Sequence, residues 1–163
     1  MAKLLGLVAL ERKLKRLPEV AKTKIKKAME QVADEIVAMM KSLVPVDEGT
    51  LRDSIGWTWG RPPSGTTFVA KVKSTIGDEL TITIYAGSAE AYQARWIEFG
   101  VQPHSTRKGA DISRNKRQTG NRQHPGSRAQ PFFFVSWRAN RKTAKRKIGA
   151  ATRAAAREVA QRG

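Results

Sequence analysis

The side chains with the clearest chemical potential in this sequence are cationic, and they are concentrated toward its C-terminal end. Of the formal charge of +17, residues 101–163 hold +14, because they carry sixteen Lys or Arg against two Asp or Glu. Arg and Lys on a flexible polar chain suit phosphate contact, with an affinity set by counterion release. The pattern therefore predicts a phosphate backbone or an acidic protein surface as partner, or else a solvated surface that keeps the protein soluble.

The cations fall into two groups along the chain. The first group lies in the polar stretch 101–128 and comprises Arg107, Lys108, Arg114, Lys116, Arg117, Arg122 and Arg128. The second lies on the predicted last helix and comprises Arg138, Arg141, Lys142, Lys145, Arg146 and Lys147. The polar stretch has no aromatic residue for base stacking, and no common nucleic-acid-binding motif is present. Contact with DNA, if made, is therefore expected to be non-specific.

Catalytic and metal-binding patterns are weak by comparison. The chain has no Cys, and its two histidines, His104 and His124, lie twenty residues apart in polar sequence without carboxylates at ligand spacing. Asp47, Glu48 and Asp53 lie close together in the sequence, and two neighbouring carboxylates can do acid–base chemistry. Capping and turn formation explain these residues more simply. Phosphate-cradling glycine loops and nucleophile motifs are absent. We expect no enzyme activity, no metal and no cofactor.

Two long amphipathic helices are predicted to flank the middle of the chain. Residues 7–17 predict a short helix, and residues 18–44 a long one whose apolar positions recur at steps of three and four. The stripe of the long helix comprises Ile25, Met29, Val32, Ile36, Met40 and Leu43. Pro131 can start the last helix, with a stripe of Trp137, Ala144, Ile148, Ala151, Ala155 and Val159.

Between the helices the apolar period changes to two, which indicates strands. Alternation is seen around Trp57 and Trp59, over residues 68–73 and over residues 80–86, with a turn signal at Gly77-Asp78. Residues 97–101 suggest a further strand, and residues 88–91 a single helical turn. One face of the sheet is apolar and one polar, so we expect an α+β fold: a small antiparallel sheet packed under the long N-terminal helix and the C-terminal helix.

The chain length predicts one domain over residues 1–163, with residues 101–128 as a long, polar, basic loop or projecting hairpin within it. No apolar run approaches the roughly 20 residues that a membrane span needs, so no membrane is expected. The lack of Cys suits a reducing cytoplasm.

A corner follows the long helix, built from Pro45, Asp47, Gly49, Thr50, Leu51 and Asp53. Pro45 disfavours the α conformation at Val44, so the helix should end there. Thr50 with Asp53 three residues later is the pattern of a capping box, and it predicts a short second helix.

Aromatic residues are candidates both for the core and for a subunit interface. Phe132, Phe133 and Phe134 would point over about 200° of arc on a helix, so either the first turn is deeply buried or at least one ring meets a neighbour. Aromatic residues are enriched at interface hot spots. The candidate interface residues are Phe132, Phe133, Phe134, Trp137, Trp57 and Trp59.

The ordered set of motifs resembles the gene-10-like family of tailed-phage neck and tail-completion proteins, related to the lambda minor tail protein Z. The resemblance rests on four stretches: Gly6-Leu7 through Leu17-Pro18, the corner Pro45–Ile55, Ala94–Gly100 with its Glu-Phe-Gly ending, and Ala129–Phe133. The chain departs from the family pattern at Glu48 and in residues 101–128, which are longer and more basic than the pattern requires.

The resemblance implies a structural protein of the virion, assembled in the host cytoplasm at the junction of head and tail. It implies a ring, often of six subunits, between the connector or adaptor and the tail tube, through which DNA passes. A tail terminator ring of the same neighbourhood is an alternative. From composition alone, a basic non-specific nucleic-acid-binding protein is another.

Overall fold

A computed structural model describes residues 19–73, 80–105 and 123–162 of the chain. The predicted helix over residues 7–17 and the turn at Gly77-Asp78 lie outside these ranges. Along the chain the described residues form α1 (Glu19–Leu43), α2 (Thr50–Asp53), β1 (Gly56–Trp59), β2 (Phe68–Lys73), β3 (Thr81–Ala86), α3 (Ala94–Phe99), β4 (His104–Ser105), β5 (Gln123–His124) and α4 (Phe133–Arg162).

Helix α1 buries the stripe that the sequence predicts, with a change at its C-terminal end. Ile25, Met29, Ile36 and Met40 have no exposed surface, and Val32 has almost none. Leu43 was expected to continue this stripe, and that expectation is wrong: its side chain is 44% exposed, while Val44 is buried. The helix stops at Leu43, just before Pro45, so the backbone turns and presents the next side chain to the core.

The sheet is antiparallel and has its last strand in the middle. Strand β3 pairs with β1 on one side and with β2 on the other, so the order is β1-β3-β2. Trp57 lies opposite Ile84, and Val72 lies opposite Ile82. Residues directly opposite each other share a face, which places the tryptophans and the apolar alternation of β2 and β3 on the side that meets the helices. The predicted apolar face and polar face are confirmed.

Helices α1 and α4 pack against each other in antiparallel directions. Lys24 pairs with Glu158, and the ammonium of Lys147 lies 2.5 Å from a carboxylate oxygen of Glu35. The two pairs are eleven residues apart on both helices, about 16 Å along each axis. Ala144, Ile148 and Ala155 of α4 are buried as its stripe predicts. The α+β fold, with a small antiparallel sheet under two long helices, is confirmed.

The strand expected over residues 97–101 is wrong, because residues 94–99 form helix α3. Ala94 and Glu98 are buried and Ile97 is half-buried, a spacing of three and four that belongs to a helix. The alternation of Ile97 and Phe99 fits a strand equally well, and apolar runs this short do not distinguish the two. The helical turn expected at residues 88–91 begins later, at Ala94.

None of the helices in the described ranges is long and apolar enough to cross a membrane.

Candidate assembly site

The corner after α1 has the predicted course but a different cap. Gly49 is the N-cap of α2 and adopts a positive φ of 86°, and no side chain caps the helix. The capping box expected from Thr50 and Asp53 is therefore wrong. Thr50 is already helical, and the Asp53 carboxylate lies 3.6 Å from the Nε atom of Arg52. Leu51 is buried, as predicted for the short second helix.

A shallow cleft of about 150 Å³ joins this corner to helix α3. It is lined by Pro45, Asp47, Glu48, Gly49, Thr50, Leu51, Gln93 and Ile97. Five of the six residues named as the structural corner, all except Asp53, thus lie beside α3, which comes more than forty residues later in the chain.

Glu98 connects α3 to the start of α4. One of its carboxylate oxygens accepts hydrogen bonds from the backbone N–H groups of Phe132 and Phe133, at 2.8 and 2.9 Å. The other oxygen accepts from the N–H of Phe134 at 3.1 Å. The first N–H groups of a helix have no partner within it and carry a partial positive charge. A buried carboxylate from another element supplies both the acceptors and the charge here.

Glycine permits the close approach that this cap requires. Gly100 ends α3 with φ of 72°, and a Cβ at this position would lie 2.7 Å from the backbone nitrogen of Ala129 and the carbonyl oxygen of Ser127. Val101 and Ser127 exchange two backbone hydrogen bonds of 2.9 Å. The chain leaving α3 and the chain entering α4 are therefore hydrogen-bonded to each other at the two ends of the polar stretch.

The two ends of the polar stretch pair as short antiparallel strands. His104 lies opposite His124, and Ser105 lies opposite Gln123. The imidazole rings of the two histidines stack, with centroids 5.1 Å apart. Sequence analysis missed this proximity and treated the histidines as separate. No group of three or more metal-ligating side chains occurs within residues 19–73, 80–105 and 123–162.

Most of the predicted basic contacts fall outside the described residues: Arg107, Lys108, Arg114, Lys116, Arg117 and Arg122. Arg128 is described and is exposed, near the paired ends. The second group of cations, from Arg138 to Lys147, is described, and of these only Lys147 forms an ion pair with a carboxylate in the part of the chain that the structure covers.

Four of these helix cations, together with Arg153, line an open groove of about 770 Å³ between α4 and the edge strand β2, here called the basic groove. Its apolar floor is formed by Val72, Trp137, Ala144, Ile148 and Gly149. Its rim is formed by Lys71, Arg141, Lys142, Lys145, Arg146 and Arg153, with Thr152 beside them. The sequence contained the cations and the stripe, but it gave no sign that they enclose a groove.

A patch of exposed aromatic rings lies on and just before α3. Tyr92 is 61% exposed, Trp96 50% and Phe99 59%. The rings of Tyr92 and Trp96 meet edge to face at 5.3 Å, while Phe99 packs on Phe68 and Phe134. Large apolar side chains exposed side by side are typical of protein contact surfaces. Tyr92 had not been singled out from the sequence.

The aromatic residues proposed for an interface have different environments. Phe132 and Phe133 have no exposed surface in the protomer, so the deep burial of the first turn is the alternative that the structure shows for them. Phe134 and Trp137 are half-buried.

Trp57 and Trp59 are also half-buried, and both are held by α1. The indole N–H of Trp57 donates to Asp34 at 2.7 Å, and that of Trp59 donates to Glu30 at 3.3 Å. Glu30 and Asp34 are four residues apart on a helix, and Trp57 and Trp59 are two residues apart on a strand, so both pairs are separated by about 6 Å. The spacing of the two acceptors therefore equals the spacing of the two indole donors. A role for these rings between subunits stays a prediction.

The arrangement offers surfaces for binding: a cationic groove with an apolar floor, an aromatic patch and a small cleft at the corner. A family of sequences described as "Bacteriophage HK97-gp10, putative tail-component" matches residues 9–100. This is more than half of the chain, and the chain belongs to this family of phage tail components. No curated protein and no solved structure matches it.

Proposed function

We propose that this tail component is a tail-completion or neck protein, which forms a ring between the head-side connector and the tail tube. The family supports a structural role in the virion. The observation that carries the step to a ring is the exposure of Tyr92, Trp96 and Phe99 on one protomer. Apolar rings in water are favourably covered by another protein surface, at roughly 25 cal/mol per Å² buried.

The cationic side chains fit the proposed position. DNA leaving the head passes through the ring, and Lys and Arg at a channel wall attract phosphates without reading sequence. The polar stretch, whose paired ends include Ser105 and Gln123, is the segment that would reach DNA or the acidic surface of an adjacent ring.

The position is tested by a nonsense mutation in the encoding phage, with electron microscopy of the products. A completion protein predicts filled heads and separate tails of normal length, with joining restored when the wild-type chain is supplied. A terminator ring predicts tubes of uncontrolled length. Normal, infectious particles without the chain would refute both functions.

The basic stretch is tested by reversing three charges, Arg114→Glu, Lys116→Glu and Arg117→Glu, in one variant. We expect a folded protein that no longer supports head–tail joining. An unchanged yield of infectious particles would show that these cations do not make the proposed contact.

A second candidate, a non-specific nucleic-acid-binding protein, is favoured by the +14 charge of residues 101–163. It predicts tight binding to free duplex or single-stranded DNA that falls steeply with salt. Titration at two salt concentrations separates the candidates, because a ring protein does not need to bind free DNA well.

A further inference from the structure

The basic groove brings together positive charges that form no ion pairs within the described part of the protomer. Arg141, Lys142, Lys145, Arg146 and Arg153 lie within four turns of α4, and no carboxylate in residues 19–73, 80–105 and 123–162 forms an ion pair with them. Neighbouring like charges destabilise a helix. The arrangement is therefore one that an acidic partner stabilises.

The apolar floor distinguishes a protein partner from a nucleic acid. Trp137 and Ile148 line the same groove as the cations, and Gly149 contributes no side chain to the lining. The nearest atom to a Cβ built at Gly149 is the guanidinium of Arg153 at 3.4 Å, so the helix itself does not require glycine here. A phosphate backbone would contact only the cations of the rim. A protein segment with both carboxylates and apolar side chains would contact the cations of the rim and the apolar side chains of the floor.

One surface segment of this same chain has that composition. Leu43 and Val46 are 44% and 55% exposed, and they are followed by the exposed carboxylates of Asp47 and Glu48. Every other carboxylate in the described ranges has a cation or a hydrogen-bond donor beside it, whereas these two have none. We call residues 43–48 the acidic corner.

We propose that the basic groove of one subunit receives the acidic corner of a second copy. In this contact Asp47 and Glu48 face the rim cations, while Leu43 and Val46 cover the apolar floor. The two surfaces differ, so the contact is head-to-tail and leaves a free groove at one end and a free corner at the other. Such a contact closes into a ring when its rotation allows, and the inference therefore rests on the ring proposed above.

The first 18 residues of the chain are a poorer occupant. They carry five Lys or Arg against one Glu, so their charge has the same sign as the rim. Charge complementarity favours the acidic corner over this segment.

Cross-linking between two differently tagged single-cysteine chains tests the contact directly. The chain has no natural Cys, so a disulfide between Glu48→Cys in one chain and Lys145→Cys in the other reports only the designed contact. The control pairs Lys145→Cys with Gln31→Cys, an exposed position on α1. We expect several-fold more mixed dimer from the first pair, and an equal yield from both would overturn the proposal.

Two sets of variants then separate docking from folding. Gly149→Leu should raise the urea midpoint, since glycine is a poor helix former, and yet reduce the cross-link because it fills the groove. For the charge swap the thiols are moved to Val46→Cys in one chain and Arg141→Cys in the other, because positions 48 and 145 now carry the changed charges. Asp47→Lys with Glu48→Lys should reduce the yield of this cross-link. Lys145→Glu with Arg146→Glu in the partner chain should restore it. A stable Gly149→Leu chain that cross-links normally, or charge swaps that fail to restore it, would overturn the proposal.

Other occupants give different results. A short duplex that binds the wild-type groove but not the Lys145→Glu/Arg146→Glu variant, with no mixed dimer above control, would identify phosphate and overturn the contact between copies. The position in the particle is read independently, from the nonsense mutant. If the first cysteine pair cross-links but the nonsense mutant still joins heads to tails, the neck function is rejected and the contact between copies is retained.

Discussion

Removal of the Glu98 carboxylate should destabilise the protein far more than a typical loss of one acidic residue. In Glu98→Ala the N–H groups of Phe132 and Phe133 lose their acceptor inside the core, and the N–H of Phe134 loses it at a half-buried position. A buried donor without a partner costs about 1–3 kcal/mol. Because water can reach Phe134, two such donors count, and the expected loss is about 2–6 kcal/mol.

That loss is large beside the roughly 5–15 kcal/mol by which domains are stable. With a urea dependence of about 2 kcal/mol per M, the unfolding midpoint should fall by about 1–3 M. Glu98→Gln keeps the shape of the side chain and one carbonyl oxygen but loses the charge at the helix N-terminus. The free energy of unfolding should therefore fall by less, about 1–2 kcal/mol.

The assay is urea unfolding followed by circular dichroism, with Glu90→Ala as the matched control. Glu90 is an exposed carboxylate whose hydroxyl donor, Ser88, lies at the limiting distance of 3.5 Å, and its removal should change the stability by no more than about 0.5 kcal/mol. If Glu98→Ala behaved like Glu90→Ala, the capping of α4 across the chain would not stabilise the fold.

Four further changes test other parts of the structure. Gly100→Ala should lower the free energy of unfolding by more than about 1 kcal/mol, because it combines a positive φ with a 2.7 Å approach to backbone atoms; an unchanged thermal midpoint would contradict this. Leu51→Ala should cost about 2–5 kcal/mol in urea unfolding, as expected for a buried leucine, and a smaller loss would mean that the corner is not part of the core. Lys147→Ala removes an exposed ion pair and should change the stability by less than about 1 kcal/mol, so a larger effect in the same assay would be inconsistent with solvent screening. Trp96→Ala should leave unfolding nearly unchanged but weaken self-association measured by light scattering, and the opposite pattern would make Trp96 a core residue.

The sequence predicted those parts of the fold that repeat at a local period. The stripe from Ile25 to Met40 and the alternation over residues 80–86 both place one side of an element in the core, and the structure buries these sides. The error at Leu43 occurred where the helix ends, since a periodic pattern does not show whether the next buried residue belongs to the last turn or to the chain after it.

The contacts that define the candidate site join residues far apart in the chain, and local patterns do not reveal them. Glu98 caps a helix 34 residues later; its only sequence signal was a carboxylate between apolar neighbours just before Gly100. The stacking of His104 and His124 follows from hairpin register. The basic groove depends on β2 lying at the edge of the sheet, which the order of the strands along the chain does not show.

The joined ends of the polar stretch have a consequence for how such a protein can diversify. Gly100, the Val101–Ser127 bridge and the Glu98 cap hold the chain that follows α3 beside the chain that precedes α4. Doubling the number of residues between two such anchors costs only about 0.6 kcal/mol in closure entropy. The sequence between these anchors can therefore change in length and charge during evolution while the helices and the sheet stay the same.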